Sequence, residues 1–82
     1  VMPPELEILK NYDKKNNARL LETLKVYLES ERNSTLTAQI LKIHRSTLPY
    51  RLNHIIRLTN LNLDDYNTRL YLMMGFYAME HI

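Results

Sequence analysis

Apolar positions recur along this chain every three or four residues, in blocks separated by short polar runs, and strand-like alternation is scarce. With a single Gly and three Pro, the pattern predicts an all-α fold of five helices. Pro3 and Pro4 suit the opening turn of a first helix, expected to run to about Tyr12 with Leu6, Leu9 and Tyr12 facing inward. Asp13 to Asn17 reads as a polar break, with Asn16 or Asn17 expected to cap the next helix. The second helix is predicted over about Ala18 to Glu31. Leu21, Leu24 and Leu28 form its inward stripe, widened by Leu20 and Tyr27.

Asn33 is expected to cap a third helix ending near Leu41, and a fourth is predicted over about Arg45 to Thr59. At 100° per residue, Leu48, Leu52, Ile55, Ile56 and Thr59 share one face of the fourth helix. The opposite face takes Ser46, Thr47, Tyr50, Asn53, His54 and Arg57, which bring hydrogen-bonding and cationic groups but no carboxylate. Asn60 is expected to end this helix in the left-handed conformation, and Asp64 or Asp65 to cap a fifth helix over about 66 to 80. Within the fifth helix, Leu70 to Met79 is apolar on nearly every side. So small a domain cannot cover all of it, and one face is expected to meet a partner, as a homodimer or by docking on another portion of a larger protein. Gly75 would allow close approach at that contact.

The third and fourth helices, joined by a short break without Gly or Pro, are spaced as a helix-turn-helix requires. Ala38 is small enough for a tight crossing, and Leu41, Ile43 and Leu48 supply its apolar contacts. Such a turn projects the second helix outward, where its first residues can enter the major groove of double-stranded DNA. Pro49 is the awkward residue. In a helix beginning at Arg45 it would lack a needed N–H and crowd the Arg45 carbonyl, at up to about 3 kcal/mol. A later start with Ser46 as cap would remove the conflict, as would a kink.

Charge sharpens the picture. The net charge of +2 argues nothing alone, but Arg32 to Leu63 holds five basic residues and no acid. The rest of the chain holds six basic and nine acidic residues. The excess thus falls on the segment that geometry selects, as an electrostatic footprint for phosphates. If Arg32, Lys42, Arg45, Arg51 and Arg57 each neutralised one phosphate, the log–log salt slope would be about −4.5.

Eighty-two residues allow a single small domain. The absence of Cys excludes a disulfide framework and the usual zinc modules. No basic-then-apolar signal opens the chain, and its longest apolar run is about half the roughly 20 residues a membrane span needs, so a cytoplasmic protein is expected. No metal, cofactor or small-molecule ligand is expected. His44 and His54 lie too far apart on a helical path to chelate. No enzyme constellation is present either: Asp64 and Asp65 are adjacent and point different ways, and there is no nucleophile elbow or Gly-rich phosphate loop. Asn33-Ser34-Thr35 fits the glycosylation pattern, which a helix cap at Asn33 makes accidental.

The stretch HRSTLPYRL, with its flanks, resembles the C-terminal helix-turn-helix domain of the purine catabolism regulator (PucR) and sugar diacid regulator (CdaR) transcription factors. Thr23, Leu24, Tyr27 and Leu28 match that family's first block. Asn33, Ala38, Leu41, His44, Arg45, Thr47, Leu48, Tyr50, Arg51, Leu52 and Ile55 match the second, and Leu63, Asp65 and Arg69 the last. The central block is also similar to the DNA-binding end of the factor for inversion stimulation, so a Fis-like helix-turn-helix is expected. The resemblance implies the DNA reader of a bacterial transcription regulator whose sensor portion lies outside this chain. It places Arg45 and Thr47 at the start of the recognition helix, flanked by His44 and Tyr50. Ser46 departs from the family's Asn, and Lys42 and Asn60 stand where related sequences often carry Gly.

Beside these contacts, Arg51 lies off the outward face and suits a phosphate or a structural ion pair, while Lys42 and Arg57 suit phosphates. The competing reading is a protein-interaction module that uses the fifth helix without binding DNA.

Overall fold

The computed structural model describes residues 2–81. Five helices and no strand occur among them: α1 (Pro4–Asn16), α2 (Leu20–Glu29), α3 (Ser34–Leu41), α4 (Thr47–Thr59) and α5 (Tyr66–His81). The all-α, five-helix expectation holds. None of these helices is long and apolar enough to cross a membrane.

α2 is the hub, packing against all four other helices, while α1 also packs on α4. The core joins Leu6 and Leu9 of α1, Leu20, Leu24 and Leu28 of α2, Ile55 of α4, and Leu72 and Phe76 of α5. Leu61 and Leu63, from the connection between α4 and α5, complete it. On α2 the buried stripe is Leu20, Thr23, Leu24 and Leu28, with Leu21 only half-buried, so the helix is turned slightly from the expected register.

The first connection departs from expectation. Asp13 to Asn16 continues α1 for another turn, because the break comes only at Asn17, which ends the helix in the left-handed conformation at φ 51°. Neither Asn16 nor Asn17 caps α2. The Asn16 side chain donates back to the Tyr12 carbonyl. The cap is Asp13, whose two carboxylate oxygens accept from the Leu20 and Leu21 N–H groups at 2.8 and 2.9 Å. Its backbone carbonyl also accepts the Asn17 and Ala18 N–H groups. One residue therefore closes the end of α1 and the start of α2, satisfying amides a helix terminus would otherwise leave open.

The other helix ends lie closer to expectation. Asn33 Oδ1 accepts the Leu36 N–H at 2.9 Å. Asn60 is left-handed at φ 58° and donates its N–H to Ile56 O. Asp65, rather than Asp64, caps α5: its Oδ2 accepts both the N–H and the hydroxyl of Thr68 at 2.9 Å. These two bonds, with Arg69 contributing less, hold its carboxyl below the usual carboxylate range. Asp64 instead pairs with Arg32 at 3.1 Å, clasping the connection between α2 and α3 to the one before α5.

Gly75 also has a different role from the expected one. It is buried against α1, where a Cβ would stand 2.5 Å from Pro3 Cγ and 3.0 Å from Leu6 Cδ1. The close approach it permits lies within the chain. Tyr71 Oη donating to Glu5 and the Lys25–Glu80 ion pair fasten α5 on either side of that contact.

Candidate nucleic-acid interface

α3 ends where Lys42 turns left-handed at φ 58°, and the Ile43 N–H returns to Ala38 O at 3.0 Å. This six-residue closure usually calls for Gly, so Lys42 holds a mildly strained backbone. Ala38, Leu41 and Leu48 are buried and Ile43 is half-buried, and α3 and α4 both pack on α2.

His44 organises the turn. Its carbonyl accepts the Thr47 N–H at 3.0 Å, and its Nδ1 accepts the Ser46 N–H at 3.1 Å, with Ser46 Oγ 2.8 Å away. Because Nδ1 is an acceptor, the neutral ring carries its proton on Nε2, which leaves a donor on an exposed imidazole.

α4 begins at Thr47, two residues later than expected, and Arg45 lies in the turn ahead of it. Ser46 occupies the cap position but makes no side-chain cap bond, its hydroxyl being directed to His44. The later start resolves Pro49. As the third helical residue it lies in the first turn, where no N–H is needed for the helical ladder. The positive end of α4 carries no side-chain cap and no acid in its first turn.

Ser46, Tyr50, Asn53 and Arg57 form an exposed stripe at four-, three- and four-residue intervals, with Tyr50 67% exposed. Thr47 and His54, expected on this face, are turned half inward, and Ile56, expected inside, is exposed. A contact between helices accounts for His54. Its ring meets Tyr12 of α1 edge-on, with centroids 4.8 Å apart, so α1 covers that flank of α4.

The cations divide into two sets. Lys42, Arg45 and Arg57 are exposed, and none forms an ion pair among the described residues. Arg51 is half-buried and donates from Nη1 to Thr23 Oγ1 of α2 at 3.1 Å. Arg32 is held by Asp64.

A concavity of about 530 Å³ lies where α3 begins and α4 is entered, lined by Ser34, Thr35, His44, Arg45, Ser46 and Pro49. Hydroxyls, an imidazole and a guanidinium line it without a carboxylate, beside the positive ends of two helices. This arrangement suits a phosphodiester oxygen. Sequence reasoning did not single out Ser34 or Thr35, which line the concavity, or Asn53, which sits in the exposed stripe, as candidate contacts. The signal for the first two is a pair of hydroxyl residues directly after the Asn33 cap. Asn53 was visible as the middle of the exposed stripe. No group of His, Asp or Glu among the described residues could hold a metal ion.

The fold and its carboxylate-free surface define a helix-turn-helix domain. Residues 20–78 match the family described as the PucR C-terminal helix-turn-helix domain, and the chain belongs to that family. It is 34% identical to the proline-responsive transcriptional activator PutR of Bacillus subtilis over 93% of the chain and 18% of PutR. It is 42% identical to the carbohydrate diacid regulator of Escherichia coli over 79% of the chain and 17% of that protein. With the DNA-binding transcriptional activator AdeR of Bacillus subtilis it shares 31% identity over 78% of the chain and 15% of AdeR. The chain spans less than a fifth of the length of these curated relatives. No solved structure matches it significantly. These three relatives are named as transcriptional activators or a regulator, and the matched part of the chain is a helix-turn-helix domain, not an enzyme's.

Proposed function

We propose that the chain binds double-stranded DNA sequence-specifically, as the reader domain of a longer cytoplasmic regulator of bacterial transcription. α4 enters the major groove through Ser46, Tyr50, Asn53 and Arg57, and Arg45 reaches a guanine edge or a phosphate from the turn. His44 and Ser46, with Ser34 and Thr35, hold a backbone phosphate in the concavity, Thr47 bonds a phosphate at the start of α4, and Lys42 and Arg57 meet phosphates along the strand. Arg51 supports the reader from its inner side. The observation that carries this reading is the exposed, carboxylate-free stripe on α4 beside that concavity. It is supported by relatives named as a DNA-binding activator and a proline-responsive activator, whose greater length leaves room for a sensor elsewhere.

Fluorescence anisotropy on duplex DNA from upstream of the protein's own gene, against a scrambled duplex at two salt concentrations, tests the reading. Salt-sensitive binding with a preference for the upstream duplex is expected. Arg45→Ala should weaken it by about 1–3 kcal/mol if Arg45 grips guanine bidentately, with a much smaller loss on the scrambled duplex. Absence of binding even at low salt sinks the proposal.

A second role is favoured by α5, which exposes large apolar side chains on the side away from its own core. This face makes a protein contact, with a second copy or with the sensor portion, that positions the reader on DNA.

A further inference from the structure

Six of the exposed residues of α5 occupy positions that read the same from either end of the helix, while Tyr71, also exposed, lies off that stripe and donates to Glu5. Tyr66, Leu70, Met73, Met74, Tyr77 and His81 share one side, roughly opposite the buried Leu72, Gly75 and Phe76. About the Met73–Met74 bond they pair off as 66 with 81, 70 with 77, and 73 with 74.

We propose that this face pairs with the same face of a second copy, α5 against α5 and antiparallel, on a two-fold axis at Met73–Met74. The inference rests on the protein-contact role proposed for α5 and commits it to one occupant. A two-fold interface is self-complementary: if one residue meets another, the second meets the first. The palindromic placement meets that condition at every position of the stripe. Leu70 faces the partner's Tyr77, Tyr66 the partner's His81, and Met73 the partner's Met74.

Chemistry agrees with the placement. The stripe itself holds no Lys, Arg, Asp or Glu, and the charged side chains beside it, Glu31, Arg32 and Arg69, line the adjoining groove. Tyr77 and His81 stack with ring centroids 4.1 Å apart and present one aromatic surface. Between the end of α2 and the start of α5 lies a groove of about 440 Å³, lined in part by Leu28, Tyr66, Leu70 and Met73. The antiparallel pairing brings the partner's Tyr77 to this groove, with Arg69 on its wall as a polar neighbour for the hydroxyl.

The area is sufficient for a reversible dimer. Tyr66 and Tyr77 are each 66% exposed, Met74 65%, Leu70 45% and Met73 37%. At roughly 200 Å² for each fully open side chain of this size, complete coverage of the five would bury at most about 1,100 Å² over both copies. That lies just below the standard-size range, where association is specific but weak.

Sedimentation equilibrium of the chain from micromolar to millimolar concentration tests the proposal. A monomer–dimer equilibrium is expected, and Met74→Glu should raise its dissociation constant at least roughly tenfold by setting two carboxylates near the axis. Because Met74 is exposed, the variant's thermal midpoint should match the parent's at concentrations where both are monomeric, which separates lost pairing from lost folding. The chain has no Cys, so engineered thiols report the geometry. Oxidising a mixture of the Leu70→Cys and Tyr77→Cys variants should give mainly the mixed disulfide. A chain monomeric at every concentration, a dissociation constant indifferent to Met74→Glu, or a predominance of same-variant disulfides would each overturn the proposal. DNA binding is scored separately: Met74→Glu should keep salt-sensitive affinity for a single half-site. If parent and variant alike ignore DNA while the parent dimerises, the DNA reading fails and the pairing stands.

Discussion

Arg51 Nη1 of α4 donates to the hydroxyl of Thr23, a fully buried residue of α2, across 3.1 Å. Thr23 spends its own proton on the Arg19 carbonyl at 2.7 Å, so its oxygen faces the guanidinium as an acceptor. The bond ties the proposed reader to the hub of the fold. Thr23→Val keeps the shape of the site but leaves a half-buried cation without that acceptor. It should lower stability by about 1–2 kcal/mol, measured by urea denaturation. Arg51→Met should destabilise in the same way yet leave the salt slope of DNA binding unchanged, whereas a fall of about one unit in that slope would mark Arg51 as a phosphate contact instead.

The division of the cations sets the electrostatics. With Arg51 turned to Thr23 and Arg32 to Asp64, the exposed cations free of such partners are Lys42, Arg45 and Arg57, the three proposed to meet phosphates when Arg45 does not take guanine. At about −0.9 per neutralised phosphate on duplex DNA, the log–log salt slope should be near −2.7 per domain instead of the −4.5 that five contacts would give. Anisotropy titrations across a salt series measure it directly.

Pro49 sits in the first turn of α4, where its ring displaces no helical hydrogen bond. Pro49→Ala should therefore change stability by less than about 1 kcal/mol, through the freedom regained by the unfolded chain. A gain approaching 3 kcal/mol in denaturant unfolding would show that Pro49 strains the helix interior after all.

The features legible in the sequence are the local ones. The helices arise from apolar spacing, and the caps at Asn33, Asn60 and Asp65 act within four residues of themselves. The hidden features depend on tertiary neighbours. Asp13 caps α2 from seven and eight residues back, so its carboxylate read as part of a polar break. A helical wheel puts His54 on the outer face of α4, but only the folded chain brings Tyr12 over that flank. At the proposed interface, Arg45, Tyr50 and Arg57 are readable as exposed groups on a basic segment. Ser34 and Thr35 were not, because the crossing of α3 and α4 brings them to the concavity of His44 and Arg45.

Gly75 separates two readings of α5 by the sign of one measurement. If the residue faced a partner, alanine would favour the isolated helix by up to about 1 kcal/mol. In the fold, a Cβ there meets Pro3 and Leu6 of the α1 end at 2.5–3.0 Å. Overpacking of this kind costs about 1–3 kcal/mol and outweighs the helical gain. Gly75→Ala should therefore lower the unfolding free energy, measured at concentrations low enough to keep the chain monomeric.

Asp65 makes stability depend on pH at the acid end. Hydrogen bonds from the Thr68 N–H and hydroxyl favour its charged form in the folded chain and lower its pKa below the ordinary 3.8. A carboxyl depressed on folding stabilises fully at pH above its unfolded value, and that contribution drains away as pH falls through the folded one. Asp65→Ala should thus be less stable than the parent at neutral pH. The gap between them should narrow below about pH 4, as the carboxylate is protonated. Urea denaturation of both chains at neutral pH and near pH 3 reads the difference. A gap that stays constant over that range would mean the loss comes from helix propensity or packing and not from the charged cap.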